Sequence, residues 1–166
     1  MDDARAGGPG RTPPEDPDEL AAVTLHASRG LLGVIARSVA QALEEVSLPQ
    51  LRALVLLATA GALRQGVVAE RLGVHPSTFS RNVDRLVAGG WVRRDADPER
   101  RHAVRIAITD QGSALVERVS ERRRAAIAEV LARVPADRRA AVLDGLAEFT
   151  AASGEPDPRD LQTLAL

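Results

Sequence analysis

The chain has 166 residues, 45% of them hydrophobic, enough for one globular unit with a sizeable core. Its formal net charge is -1 and it contains no cysteine, which excludes disulfides, thiolate metal sites and cysteine-based redox sensing. No apolar run is expected to approach membrane-span length and no signal-peptide pattern opens the sequence, so a cytoplasmic protein is expected.

Residues 1–17, MDDARAGGPGRTPPEDP, have nothing to bury and predict a disordered acidic tail. From Asp18, a plausible N-cap, Leu20, Val23, Ala27, Leu31, Val34, Ser38 and Ala42 hold one face of a long helix ending near Val46. Gly30 and Gly33 lie inside it, each costing about 1 kcal/mol relative to Ala, either through drift or because another helix approaches closely. SLPQLRALVLLATAG predicts a second helix, with a Ser cap, a Pro in its first turn and a stop at Gly61. LRQGVVAERLGV predicts a short third helix built on Val68 and Leu72, with Gly73 suited to the turn that follows.

The stretch HPSTFSRNVDRLVAGGWVRR keeps helical time, with His75 as a weak cap and Pro76 at the first helical position. Phe79, Val83, Leu86, Val87 and Gly90 fall within one arc, which should be buried. The opposite arc carries Ser77, Thr78, Arg81 and Arg85, flanked by Asn82 and Asp84. These short hydroxyls and guanidiniums are the groups that reach phosphates and base edges. An ordinary solvated face would more often alternate Glu with Lys. A helix, a Gly-containing turn and a second helix with a polar outer face make the pattern of a helix-turn-helix.

Beyond it the period switches to two. Val104, Ile106 and Ile108 alternate with Ala103, Arg105 and Ala107 as a half-buried strand, and WVRR is its natural partner across the loop DADPER. This predicts a two-stranded wing over residues 91–108, tipped with Arg100 and Arg101. A guanidinium there suits a narrow minor groove, or it could pair with Asp84 or Asp97 to hold the wing. Trp91 should pack between wing and domain. Thr109 then caps a long helix built on Leu115, Val119, Ile127, Val130, Leu131 and Val134, which Pro135 breaks. A last helix over about 136–152 carries Leu143, Leu146 and Phe149, and residues 153–166 form a loose tail.

Charge is distributed unevenly. Nine arginines oppose five acids between Arg64 and Arg105, whereas both tails are acidic, so the middle of the chain is free to be basic. All 22 basic residues are Arg, a ratio that a GC-rich genome explains as well as selection does. His26, His75 and His102 are too dispersed to suggest a metal site, and no cofactor is expected. Nor does any nucleophile, triad or phosphate-binding Gly loop point to an enzyme; Glu44 and Glu45 are adjacent and diverge on a helix.

The order of elements, with GVVAERLGVHPSTFSRNVDRLVAGGWVRR, DPERR and the strand-to-helix joint IAITDQG, resembles the MarR family of bacterial transcription regulators over residues 18–152. The resemblance implies a mainly α fold with a small β-wing, a winged helix-turn-helix joined to a helical dimerisation region. The dimerisation helices would be about 18–46, 110–134 and 136–152, and the DNA-binding part about 48–109. It implies a homodimer on an inverted-repeat operator, with helix 76–88 in the major groove and the wing in the minor groove. Ser77, Thr78, Arg81, Asn82, Arg85, Arg100 and Arg101 would be the DNA contacts, and Arg81 is suited to guanine O6 and N7. The wing departs from the family pattern in carrying Glu99 where Asp usually precedes the Arg pair, and no Trp lies in the first helix as in the urate-responsive branch.

Release by a small molecule is common in the family. His26 or Arg37, with Arg29, could bind an anionic effector; His26, Gly33, Arg37 and Glu44 could equally be an interface or solvent-facing polar stripe. A reading from another class is a winged-helix protein whose helix face binds a protein partner. Steep salt dependence would distinguish the two, because it follows from neutralising phosphates.

Overall fold

The computed structural model describes residues 16–98 and 103–154. The elements in chain order are α1 (Pro17–Ala40), α2 (Ala42–Glu45), α3 (Leu48–Ala60), β1 (Leu63–Arg64), α4 (Gln65–Arg71), α5 (Pro76–Ala88), β2 (Val92–Ala96), β3 (Val104–Ile108), α6 (Asp110–Ala132), a 3-10 turn (Ala136–Arg138) and α7 (Arg139–Ser153). The predicted N-terminal tail, Arg100, Arg101 and all but the first two residues of the C-terminal tail fall outside the described residues.

The first helix begins two residues early and ends early. Asp16, not Asp18, is its N-cap, accepting from the Asp18 amide at 3.0 Å, because Pro17 fits the first helical position. The expected run to Val46 breaks at Gln41 into α1 and α2. Just before the break the Ser38 hydroxyl donates to the Ile35 carbonyl at 2.7 Å, a back-bond that competes with helical pairing and bends helices. α1 also corrects the expectation about membrane spans: it has 24 residues, its most apolar 18-residue stretch has a mean hydropathy of 1.2, and by length and composition it could cross a bilayer. Its composition is that of a helix with apolar surface on more than one side, interrupted by His26, Arg29 and Arg37.

The centre of the molecule is α3. Leu51, Ala53, Leu54, Leu56 and Leu57 are all buried, so the helix is covered nearly all round. It starts with a reciprocal cap in which the Ser47 backbone amide donates to the Gln50 side chain at 2.8 Å. Around it, Val68, Ala69 and Leu72 of α4, Phe79, Val83 and Leu86 of α5, Val92, Ile106, and Leu115 and Val119 of α6 close a single core. Gly73, at φ 65°, makes the left-handed turn between α4 and α5 that a side chain would strain.

The wing is antiparallel, pairing Val92 with Ile108, Arg94 with Ile106 and Ala96 with Val104. It has three strands, in the order β1-β3-β2, rather than two. Leu63 and Arg64, expected at the start of the third helix, pair instead with Ile106 and Arg105. Val104, expected to face inward, is exposed because the wing has by then run beyond the core. Gly90 is not on the buried face of α5: that helix ends at Ala88, and Gly90 turns the chain toward β2 with φ 74°.

Burial ends abruptly along α6. Gly112, Leu115 and Val119 are buried, whereas Ile127 and Val130 are exposed, and α7 contains no buried residue. α1, the far half of α6 and α7 instead border an apolar groove of about 540 Å³.

Candidate nucleic-acid interface

The outer face of α5 is assembled by its own amphipathic period. With Phe79, Val83 and Leu86 anchored in the core, Ser77, Thr78, Arg81 and Arg85 are forced outward and are exposed, and Asn82 sits half-buried at the flank. His75 caps the helix, its Nδ1 accepting from the Ser77 amide at 3.4 Å and lying 2.9 Å from the Ser77 hydroxyl. The cap therefore also orients one of the expected contact side chains. Among the described residues no acid pairs with Arg81 or Arg85, so both guanidiniums are available to an external anion.

The wing is tied to this helix by a residue the sequence did not single out. Arg94 of β2 donates to Asp84 of α5 at 2.5 Å, while the pairing of Arg100 or Arg101 with this acid lies outside the described residues. Asp97, the other acid considered, accepts from Arg64 of β1 at 2.5 Å. Arg93 pairs along its own strand with Asp95 at 3.0 Å.

A second joint fixes the far end of α5. The Thr109 hydroxyl is 2.7 Å from the Gly90 carbonyl and 3.0 Å from that of Trp91, sharing its proton between them, and it accepts from the Gly112 amide at 3.2 Å. The backbones approach so closely that a Cβ on Gly112 would lie 2.3 Å from the Trp91 carbonyl oxygen, and the Trp91 indole covers Gly89, where a Cβ would lie 2.6 Å from its Nε1. Trp91 is half-buried between wing and domain, as its position suggested. Thr109, besides capping α6, thus couples the end of α5 to the start of the longest helix beyond it.

The candidate effector residues separate. Arg29 and Arg37 line the apolar groove together with Gly30, Gly33, Leu131 and Leu146, whereas His26 is exposed and does not line it. A Cβ on Gly30 would meet nothing within 4 Å, so no helix of the same protomer explains that glycine by close approach. Arg123 donates to the buried Ser38 hydroxyl at 3.3 Å, and Arg118 pairs with Glu45 at 3.2 Å. Both bridge α6 to the bend between α1 and α2.

Comparison with known proteins gives a consistent answer. A family model described as MarR family matches residues 45–102. A helix-turn-helix transcriptional regulator of Mycobacterium leprae, ML2140, is 33% identical over 94 residues, 57% of this chain and 66% of its own. The chain spans 61 to 66% of the length of three such curated relatives. Among solved structures, RV1404 from Mycobacterium tuberculosis is 36% identical with a TM-score of 0.78, covering 88% of this chain and 100% of its own. The transcriptional regulator Tm0710 from Thermotoga maritima is 25% identical with a TM-score of 0.68, covering 81% and 94%.

Proposed function

The chain belongs to the MarR family of winged helix-turn-helix transcription regulators, and on that premise we propose that it acts in the cytoplasm as a homodimer that binds an inverted-repeat DNA operator and represses transcription. α5 enters the major groove, where Arg81 reads guanine and Ser77, Thr78, Asn82 and Arg85 contact bases or phosphates. The wing, through Arg100 and Arg101, follows the adjacent minor groove. The observation that carries the reading is the exposed, acid-free row of Ser77, Thr78, Arg81 and Arg85 on a helix whose other face is locked in the core. The relatives' names support a regulator rather than an enzyme.

The dimer rests on apolar surface the protomer leaves open. Leu20, Val23 and Leu31 of α1, Ile127 and Val130 of α6, and Leu143, Leu146 and Phe149 of α7 are all exposed. A second copy is the partner that the family premise supplies for them. An anionic effector enters the reading at Arg29 and Arg37, which line the same groove.

The test is a gel shift on the DNA upstream of the protein's own gene and on duplexes selected from a random pool, at two salt concentrations, beside Arg81→Ala. The expected result is tight wild-type binding with steep salt dependence, and a loss of about 1–3 kcal/mol in Arg81→Ala together with relaxed preference at one base position. A wild-type protein that prefers no duplex over random DNA would overturn the reading and favour a protein partner on the α5 face.

A further inference from the structure

The imidazole of His75 engages two donors at the start of α5. His75 is the N-cap residue, and the Ser77 backbone amide donates to its Nδ1 at 3.4 Å. The Ser77 hydroxyl oxygen lies 2.9 Å from the same nitrogen. A ring nitrogen that receives an N–H carries no proton of its own, so the hydrogen-bond network leaves the ring neutral with its proton on Nε2. A bare Nδ1 offers only a lone pair. The hydroxyl within hydrogen-bond distance of it is therefore the donor, and its one proton points back at the cap.

This fixes the hydrogen-bonding sense of Ser77. Its Oγ keeps its lone pairs but has no proton left to give outward, and among the described residues His75 is its partner. Ser77 is exposed and stands one turn before Arg81 on the outer face of α5. An acceptor-only oxygen has nothing to offer a phosphate oxygen, guanine O6 or N7, or thymine O4, which are all acceptors. The donors in the major groove are the exocyclic amino groups, N6 of adenine and N4 of cytosine. Thr78, next in sequence and also exposed, has no such tie among the described residues, so its hydroxyl is free to turn either way. Phosphate contact is thus open to Thr78 and closed to Ser77.

We propose that His75 sets the base preference of Ser77: by holding the hydroxyl proton, it makes Ser77 an acceptor that reads the amino group of adenine or cytosine in the major groove. This rests on the operator-binding reading above and deepens it. His75 is a positioning residue, and Ser77 is the one that touches DNA. Arg81, whose guanidinium only donates, needs the opposite kind of partner. Two residues one turn apart therefore read complementary edges, Arg81 a pair of acceptors and Ser77 a donor.

The experiment measures the affinities of wild type, Ser77→Ala, Thr78→Val, His75→Gly and His75→Asn for a selected duplex and for every single base-pair substitution beneath α5. Glycine is tolerated at an N-cap but has no acceptor, whereas asparagine restores an oxygen that takes both the amide and the hydroxyl proton. Wild type is expected to prefer adenine or cytosine about tenfold over guanine or thymine at one position besides that of Arg81, and the preferred base tells N6 from N4. Ser77→Ala should lose that preference alone. His75→Gly should cut it to about twofold or less with the salt slope kept, and His75→Asn and Thr78→Val should retain it. In the free protein at about pH 8, the imidazole nitrogen chemical shifts of His75 should show a bare Nδ1 and a protonated Nε2. The reverse tautomer overturns the proposal without any DNA. So does a preference that survives in His75→Gly, a Ser77-dependent preference for guanine or thymine, or a Ser77→Ala loss uniform over all duplexes, the mark of a phosphate contact. A wild type with no preferred duplex overturns the operator-binding reading and the proposal with it, and is told apart from these outcomes because there is then no preference for any variant to change.

Discussion

The two halves of the molecule bury their apolar residues to very different extents. From α3 through β3 and the first turns of α6, the hydrophobic positions close on one another: Leu54, Val68, Phe79, Val83, Leu86, Ile106 and Leu115 are at most 1% exposed. In α1, the far half of α6 and α7 the same residue types stand open, with Leu25 at 60%, Leu32 at 61% and Phe149 at 59%. A single protomer would not leave so much contiguous apolar surface in water without a use for it. On the proposed function, the closed half serves as the reading head and the open half as one side of an interface. The boundary falls within α6, between Val119 and Ile127, so one helix carries both roles.

The comparison can be broken first at the closed core. Phe79→Ala empties a site that is 1% exposed and lies directly beneath the α5 outer face, and should cost about 3–5 kcal/mol in thermal or denaturant unfolding. A cost under 1 kcal/mol would mean that the reading head is not rigidly packed. Next comes the joint. Gly112→Ala places a Cβ against the Trp91 carbonyl, which the α6 backbone must relieve by shifting, at about 1–3 kcal/mol of stability. Its DNA affinity should fall by more than its stability explains, measured on operators of altered half-site spacing, because the wedge re-aims α5. The smallest effect on the reading head is expected from Leu146→Asp, on exposed α7: amide-exchange protection of α3 should change by no more than about 0.5 kcal/mol, although self-association is lost.

What the sequence disclosed tracks the range of the interactions involved. The α5 span, its outer face and the cap at His75 were legible because they depend on neighbours three and four residues away and on Pro76. The start of α6 was legible for the same reason, from Thr109. β1 was not, because two residues are too few to show a period of two, and Leu63 and Arg64 become a strand only through β3, about forty residues later in the chain. The bend at Gln41 interrupts an otherwise continuous helical pattern, and nothing in that pattern marks it. Val104 alternates correctly with its neighbours, and only its distance from the core leaves it exposed. In the site, exposure of Ser77, Thr78, Arg81 and Arg85 followed from helix geometry. The Asp84–Arg94 and Arg64–Asp97 pairs instead join residues 10 and 33 positions apart, and acids within a charged loop gave no signal of which would be buried. The one available hint was Asp97 itself, an acid beside Pro98 at the strand's end, where chain direction changes.

The most direct measurement is sedimentation equilibrium of wild type and Leu146→Asp, each with and without a selected operator duplex. The account predicts that the wild type sediments as two chains and carries one duplex as a two-chain complex, whereas Leu146→Asp is a folded single chain that binds the duplex at least about tenfold more weakly, having lost the second half-site contact. A wild type that is monomeric at micromolar concentration, and that binds the operator as a single chain, would contradict the division into a closed reading head and an open pairing surface.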